Sequence, residues 1–193
     1  MGSEPGVPAS LSGIWETAAQ ALARGAVDGR HAYHWPALAT VGMDGVPAVR
    51  TVVLRRFDPG TYGLTFYTDR RTAKAAELAA NPRAAVHFYD PKARVQLRFS
   101  GTAEILTAGP VWQEALDRAR QGPLLDYTIA PAPGTPIDAP EEAQADAVPA
   151  EETFAVIQFT PQTADYLRLS REGHRRAKLD FSVDPARATW LIP

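Results

Sequence analysis

The feature that most constrains the fold is a series of short apolar segments separated by tight-turn sequences. Turn sequences occur at Asp44-Gly45, Asp58-Pro59-Gly60 and Asp90-Pro91. Asp-Gly and Pro-containing turns favour the close connections that join neighbouring antiparallel strands. A parallel sheet would need a helix between successive strands, and no such regular alternation is present. We therefore expect a mainly β protein of the α+β class, an antiparallel barrel of six or seven strands with peripheral helices.

The spacing of apolar residues predicts where the individual elements lie. Strands are expected at 37–41, 47–55, 62–68, 84–89, 95–106, 154–159 and 188–192. Helices are expected at 14–24, 72–80 and 111–120, where apolar residues recur at helical spacing. Residues 163–169 fit either a short helix or a turn. No internal repeat is visible, so these elements are expected to form one unit.

The overall composition is that of a soluble globular protein. Of the 193 residues, 45% are hydrophobic and 22% are charged, and the net charge is −2. We expect one domain at 13–193 after a disordered segment at 1–12. The chain has no cysteine, which excludes disulfides and thiolate metal sites. No apolar run approaches the roughly 20 residues that span a bilayer, and the N-terminus does not resemble a signal peptide, so a cytoplasmic protein without a membrane partner is expected.

Residues 131–152 differ in composition from the rest of the chain. This segment has five prolines and six acidic residues, and it has no Lys or Arg. Such a composition predicts a mobile loop. Two interpretations remain open, namely a solvated spacer and an ordered flap over a site.

Half of the basic residues lie in one part of the chain. Ten of the twenty Lys and Arg residues are found between Arg50 and Arg98, against four acidic residues in the same stretch. A surplus of this kind in a slightly acidic protein predicts an anionic partner. Arginine, lysine and hydroxyl side chains near strand ends suit a phosphate group. A nucleic-acid-binding barrel is the alternative, but the net charge gives it no support, and we expect no nucleic-acid partner.

Individual residues in this stretch are candidate ligands of a phosphate or a ring. Lys74 lies in the first turn of the predicted 72–80 helix, where a bound phosphate would offset the unfavourable helix dipole. Arg50 and Arg55 lie five positions apart on a predicted strand and therefore point to opposite faces unless the strand ends or bulges between them. Gln96 lies on the polar face of its strand, which either faces water or looks into a subunit interface.

The remaining polar clusters do not match a known catalytic motif. A second basic cluster extends from Tyr166 to Arg176 and contains His174, one of four histidines. The histidines do not have metal-ligand spacing, so no metal site is predicted. Walker, G-x-G-x-x-G, G-x-S-x-G and HExxH motifs are absent from the sequence. His174 is the one candidate acid or base near neutral pH, and the catalytic residues are otherwise unknown.

Taken in order, the segments of this stretch resemble the pyridoxamine 5'-phosphate oxidase-like family of FMN-binding split barrels. The family pattern corresponds to Arg50-Thr-Val-Val-Leu-Arg55, Phe66-Tyr67-Thr68, Thr72-Ala-Lys74, Asn81-Pro82, Val95-Gln96-Leu97 and Gly101-Thr-Ala-Glu104. Weaker similarity extends to His174-x-Arg176 and to Trp190-Leu-Ile-Pro193. The resemblance covers some fifty-five residues in order, spacing and residue type.

The resemblance implies a split barrel that forms a homodimer with FMN in the subunit interface. It implies that Arg50, Thr68 and Lys74 hold the phosphate end, with Tyr67 and Thr72 in the same motifs. Along the isoalloxazine ring it places Arg55, Gln96 and backbone groups of Val52, Val53 and Leu54. It implies that Arg176 reaches the flavin from the partner subunit. An FMN-dependent oxidase or reductase acting on a small molecule is therefore expected, and a flavin-binding protein without turnover is the alternative.

The chain departs from the family's vitamin B6 oxidases where these bind the substrate phosphate. Those enzymes carry Tyr-x-x-x-Arg-x-x-x-Ser after the fifth strand, and the corresponding stretch here, 125–136, lacks it. They also have Arg-Leu-His before the final Arg, where this chain has Glu172-Gly-His174. We therefore expect retained FMN and poor turnover of pyridoxine 5'-phosphate, and the sequence does not assign the substrate.

Overall fold

Nine antiparallel strands form the framework in the computed structural model, which describes residues 10–122, 124–144, 147–183 and 186–193. The strands are Ala37–Val41 (β1), Pro47–Thr51 (β2), Leu54–Phe57 (β3), Leu64–Asp69 (β4), Arg83–Asp90 (β5), Val95–Leu106 (β6), Phe154–Arg168 (β7), Arg175–Asp180 (β8) and Arg187–Leu191 (β9). The α-helices are Leu11–Val27 (α1), Ala73–Ala80 (α2), Pro110–Ala119 (α3) and Ala150–Thr153 (α4). Short 3-10 helices occur at Ala32–His34, Leu124–Tyr127 and Pro140–Gln144.

The sheet curls into a split barrel because its two ends are adjacent in the chain. The strand order is β2-β1-β5-β6-β7-β4-β3, with β8 on β7 and β9 on β8. β2 ends at Thr51 and β3 begins at Leu54. The three Cα–Cα steps from Thr51 to Leu54 span at most about 11 Å, so the two ends of the sheet must approach each other there, and they do so without pairing. The antiparallel, mainly β split barrel expected from the sequence is confirmed.

The barrel interior is filled by the inward-facing residues of the long central strands. Phe88, Leu97, Phe99 and Phe159 have almost no solvent exposure. Helix α1 covers one side of this core with residues such as Leu22, which is fully buried. A smaller apolar cluster lies between α3 and the start of β7, and it contains Ala115, Leu116, Ala119, Ala150, Phe154 and Val156. This second cluster holds α3 and α4 beside the barrel.

The expected number of strands, six or seven, was wrong because one strand is divided and another was missed. The strand predicted at 47–55 is divided between β2 and β3, because the chain leaves the ladder at Val52 and Val53. Strand β8 was not predicted because three of its six residues are basic. Its pairing with β7 nevertheless buries Ala177 and Leu179.

The element predicted at 163–169 is a continuation of β7 and not a helix or a turn. Pro161, between the two predicted elements, lies at a bulge where β7 pairs with Gly101 of β6. Proline is tolerated at such an irregularity because the ladder hydrogen bond is interrupted there. A Cβ added to Gly101 would lie 2.1 Å from the carbonyl oxygen of Thr160, so only glycine fits this crossing of the strands.

Two helices begin within segments that were predicted to be irregular. Helix α1 starts at Leu11, and the side chain of Ser10 accepts a hydrogen bond from the amide of Gly13 as its N-cap. The rest of the predicted disordered N-terminus, residues 1–9, lies outside the described residues. Helix α4 begins at Ala150 inside the predicted 131–152 loop, and a bridge between Ile129 and Ala147 joins the two ends of that loop.

Candidate cofactor-binding site

Three of the predicted cofactor ligands, two of them predicted for the phosphate, meet where β4 leads into α2. Lys74 Nζ donates to Thr68 Oγ1 over 3.2 Å, and the hydroxyls of Thr68 and Thr72 lie 3.3 Å apart. Thr72 is the N-cap residue of α2, yet its side chain makes no capping hydrogen bond and donates instead to the carbonyl of Asp69. The first amides of a helix have no acceptor within it. Together Thr68, Thr72 and Lys74, hereafter the α2 cluster, surround a helix start that can accept an anion.

The electrostatics of Lys74 fit a site that requires a negative partner. Burial lowers the pKa of the Lys74 ammonium, and the nearby charge of Arg50 lowers it further. The charges of Asp69 and Glu77 act in the opposite direction. A lysine with a lowered pKa gains from an anion that would favour its charged form.

Arg50 reaches the same region from β2 through a hydrogen-bonded group that the sequence did not predict. Its guanidinium lies 2.8 Å from Glu77 Oε2 and also donates to the hydroxyl of Thr40. That hydroxyl in turn donates to Glu77 Oε2 over 2.5 Å. Glu77 and Thr40 are both buried. The only indication in the sequence was a carboxylate on the buried face of α2, where Ala75 and Leu78 also lie.

Arg55 lies at a bulge, which resolves the difficulty that Arg50 and Arg55 would face opposite sides of one strand. The β3–β4 register shifts between Leu54 and Arg56, and the chain has already left the ladder at Val52 and Val53. The guanidinium carbon of Arg55 lies 5.3 Å from the centre of the Tyr67 ring. Its Nε is buried without a hydrogen-bond partner among the described residues, so this atom is available to a ligand.

Two other predicted ligands lie together, but at the far end of the sheet. Gln96 of β6 pairs with Leu167 of β7, and Leu167 pairs with Arg176 of β8, so all three share one face. The guanidinium of Arg176 forms a double hydrogen bond with Asp165. Tyr67, by contrast, pairs with Val156 near the opposite end of β7. Within one subunit, Gln96 and Arg176 therefore form a second group that is separate from the α2 cluster.

His174, the weak catalytic candidate, lies in the turn that precedes β8. Its Nδ1 accepts a hydrogen bond from the amide of Ser170, and the residue is exposed. This places His174 beside the Gln96–Arg176 group and away from the α2 cluster. Among the described residues, no group of three or more His, Asp or Glu side chains has the arrangement of a metal site.

An arginine fork that the sequence did not predict ties the 127–130 segment to the start of α2. Arg71 donates to both carboxylate oxygens of Asp69, with the shortest contact at 2.6 Å. It also donates to the carbonyl oxygens of Ile129 and Ala130 over 2.8 and 2.7 Å. Asp69 is only 4% exposed. The fork therefore fixes the two residues that directly precede the predicted 131–152 loop beside the α2 cluster.

Comparison with known proteins finds a family to which this part of the chain is similar. Residues 14–107, which include the α2 cluster, Arg50, Arg55 and Gln96, match the family model described as pyridoxamine 5'-phosphate oxidase, FMN-binding domain. The match covers 94 of the 193 residues, just under half of the chain. FMN, which the sequence motifs predicted, is the cofactor of this part of the chain.

The curated relatives are similar over the same part of the chain. Pyridoxine/pyridoxamine 5'-phosphate oxidase from Thermosynechococcus vestitus is 44% identical over 71 residues, which are 37% of this chain and 33% of that protein. The enzyme of that name from Anaeromyxobacter dehalogenans is 43% identical over 81 residues, or 42% and 40% of the two chains. The chain thus spans only a third to two fifths of these relatives, and the similarity is concentrated in the FMN-binding part.

Solved structures extend the likeness to almost the whole fold. A pyridoxamine 5'-phosphate oxidase-related, FMN-binding protein from Nostoc punctiforme has a TM-score of 0.70 at 26% identity and covers 92% of this chain and 96% of its own. PhzG from Burkholderia lata 383 has a TM-score of 0.71 at 21% identity, with 99% and 95% coverage, and this likeness concerns the fold alone. None of the helices in the described ranges is long and apolar enough to cross a membrane.

Proposed function

We propose that the protein is an FMN-dependent oxidoreductase that acts on a small molecule. The observation that carries this proposal is the convergence of Thr68, Thr72, Lys74 and Arg50 at the start of α2. Hydroxyl, ammonium and guanidinium donors around free helix amides suit the phosphate end of FMN. The similarity of residues 14–107 to an FMN-binding domain supports a flavin as the ligand, and the geometry supports this assignment of its phosphate.

The residues at the ring end also fit a flavin. The unpartnered, buried Nε of Arg55 is a donor that a ligand would satisfy. The break in the ladder at Val52 and Val53 supports backbone contacts from this segment to a bound ring. We assign Arg55 and the backbone of Val52, Val53 and Leu54 to the isoalloxazine ring, with Tyr67 behind Arg55.

A homodimer with FMN in the interface is part of the proposal. Gln96 and Arg176 share one sheet face far from the α2 cluster of their own subunit. A partner subunit that presents this face to the α2 cluster would complete the site with both residues. Arg176 already has a carboxylate partner in Asp165, which would hold its guanidinium in place for such a contact.

The protein's part in the reaction is to bind and orient, because bound FMN supplies the two-electron redox chemistry. With a flavin ring bound beside it, the positive charge of Arg55 would stabilise negative charge on that ring. No side chain is required as a proton donor, and His174 remains a weak candidate for that role. Because the stretch 125–136 lacks the phosphate-binding pattern of the vitamin B6 oxidases, pyridoxine 5'-phosphate is expected to be a poor substrate. We also propose a cytoplasmic location.

A reduction assay tests the proposal. FMN is added to the purified protein, and candidate reductants and substrates are mixed with it under anaerobic conditions while the visible absorption of the flavin is followed. We expect FMN to be taken up and to be bleached by at least one small-molecule reductant, with little bleaching by pyridoxine 5'-phosphate. A protein that does not take up FMN would contradict the proposal. Uptake without bleaching by any compound would favour a flavin-binding protein without turnover.

A further inference from the structure

A cavity that the proposed FMN contacts do not account for lies beside Tyr67. Its volume is about 220 Å³, and it opens between β3, β4, the C-terminal end of α3 and the 3-10 helix Leu124–Tyr127. Arg55, Tyr67, Arg118 and Tyr127 provide its large side chains. The remaining lining residues carry no charge, so among the described residues the charged groups on the wall are two arginines.

The two tyrosines form rigid aromatic walls because one buried phenylalanine supports both. The ring of Tyr67 meets Phe154 edge-on at 5.1 Å between centroids, and the ring of Tyr127 does so at 5.2 Å. Phe154 is fully buried. The Arg71 fork fixes Ile129 and Ala130, which follow Tyr127 by two and three positions. A planar ring entering the cavity would therefore meet preorganised aromatic surfaces.

The cavity is also electropositive near the Tyr67 hydroxyl. Burial raises the pKa of the Tyr67 phenol, and the charge of Glu114 raises it further. The charges of Arg118, Arg55 and Arg56 oppose that shift, so both guanidinium groups of the cavity wall act on this phenol. Arg118 donates to Glu114 at 2.7 Å, but both side chains are half exposed or more. An exposed pair of this kind is weak, and a guanidinium has five donors, so Arg118 retains capacity for another acceptor.

We propose that this cavity binds a carboxylate carried on a single aromatic ring, and that Arg118 selects for that anion together with Arg55. A cavity of this volume suits one ring and is smaller than typical drug-sized pockets. Among the described residues that line it, there is no lysine and no serine or threonine hydroxyl. It also lies at the C-terminal end of α3, where the helix dipole disfavours a dianion more than a monoanion. These features favour a carboxylate over a phosphate.

The role of this ligand as substrate rests on the proposed function. Arg55 is assigned both to the flavin ring and to this cavity, so a ring bound here would lie next to the flavin. Binding of the carboxylate itself does not depend on the flavin, because the walls of the cavity come from the protein chain alone.

Calorimetric titration with benzoate tests the proposal on the FMN-loaded protein. Benzamide serves as the neutral analogue and phenyl phosphate as the dianionic one. We expect benzoate to bind about tenfold or more tightly than benzamide, since a charge-assisted hydrogen bond is lost in the amide. Arg118→Gln should weaken benzoate binding by about tenfold or more and leave benzamide binding unchanged.

Arg120→Gln is the matched control. Arg120 lies at the same end of α3, pairs with Asp117 and Glu151, and does not line the cavity. Its replacement should leave benzoate binding unchanged. Both arginines are exposed, and thermal melting and FMN uptake, which should match those of the unmodified protein, are measured for each variant.

Three results would overturn the proposal: no detectable benzoate binding, equal binding by the Arg118→Gln variant, or tighter binding of phenyl phosphate than of benzoate. A protein that does not take up FMN would contradict the proposed function instead. The same benzoate titrations would then be performed on the flavin-free protein, where the comparison of Arg118→Gln with Arg120→Gln retains its meaning.

Discussion

The guanidinium of Arg50 lies 2.8 Å from the buried carboxylate of Glu77 and joins β2 to α2. Thr40 completes the group by donating to the same carboxylate oxygen. Arg50 is the predicted phosphate ligand furthest in sequence from Lys74. The ion pair with Glu77 therefore holds the Arg50 guanidinium of β2 near the start of α2, and the proposed phosphate site depends on this ion pair.

Loss of Glu77 should destabilise the protein. Glu77→Ala removes the acceptor of both Arg50 and Thr40, and we expect the free energy of unfolding to fall by about 1–3 kcal/mol. Glu77→Gln retains an acceptor and should cost less. Urea denaturation measures both variants against Glu114→Gln, which alters an exposed ion pair and should change stability by no more than about 0.5 kcal/mol. Equal stability of Glu77→Ala and the unmodified protein would show that the group does not hold β2 and α2 together.

FMN affinity should decline at alkaline pH before an ordinary lysine loses its proton. Burial and the charge of Arg50 lower the pKa of Lys74 in the flavin-free protein, and only its protonated form pairs with phosphate. The affinity should therefore begin to fall below the ordinary lysine pKa of about 10.4. Fluorescence titration of FMN from neutral pH to about pH 10 measures this, with riboflavin, which has no phosphate, as the reference. In Lys74→Arg the alkaline decline should be absent.

The Lys74 ammonium should make the flavin-free protein more stable as the pH rises, whereas its loss of a proton weakens FMN binding. Because the pKa of Lys74 is lower in the folded state than in the unfolded state, the unfolded chain binds more protons between the two values. Stability from this group therefore rises as pH increases through that window. Lys74→Met should remove this contribution. A pH dependence that is identical in the variant and the unmodified protein would indicate that the pKa of Lys74 is not lowered.

The Arg71 fork should control the order of the loop that follows Tyr127. Arg71→Ala leaves the buried carboxylate of Asp69 without its arginine, which we expect to cost about 1–3 kcal/mol. It also releases Ile129 and Ala130, so cleavage after Glu141 and Glu142 by a glutamate-specific protease should become faster. Arg70→Ala alters the exposed neighbouring arginine and serves as the control. Equal cleavage rates in the two variants would show that the fork does not order the loop.

Gly101 should tolerate no side chain. A methyl group there would meet the backbone of Thr160 at 2.1 Å, and the backbone cannot move aside as a flexible side chain can. We expect Gly101→Ala to lose about 3 kcal/mol or more. Gly29→Ala, where the nearest atom lies at 3.9 Å, is the control. Thermal melting compares the two, and a Gly101→Ala variant as stable as Gly29→Ala would contradict the observed crossing of β6 and β7.

The sequence predicted an element well when the alternation of buried and exposed residues within that element was regular. Strand β6 was predicted with its observed bounds because Leu97, Phe99 and Ala103 alternate with exposed residues. The continuation of β7 beyond Pro161 was missed because this proline is accommodated by a bulge, an extra β7 residue between the partners of Ser100 and Gly101, and that bulge exists only in the pairing with β6. Strand β8 was missed because its charged residues mask a short buried alternation of Ala177 and Leu179.

In the site, too, residues close together in the sequence were predicted, and contacts between distant segments were not. Thr68, Thr72 and Lys74 lie within seven residues, and their joint position follows from one strand and the helix after it. The pairing of Arg50 with Glu77 and the approach of Arg118 to Tyr67 depend on how distant segments pack. The periodicity of a single sequence contains no information about such contacts. For this reason Glu77, Arg71 and Arg118 were not predicted.

The most direct test of the central claim compares FMN with riboflavin in the unmodified protein and in Lys74→Ala. The claim is that the α2 cluster and Arg50 hold the phosphate of FMN, so the unmodified protein should bind FMN much more tightly than riboflavin. In Lys74→Ala this preference should fall by roughly 10- to 100-fold, since a hydrogen bond to a charged group is lost. Lys92→Ala, at an exposed lysine of the same basic stretch, should retain the preference. Equal binding of the two flavins by the unmodified protein, or an unchanged preference in Lys74→Ala, would contradict the account.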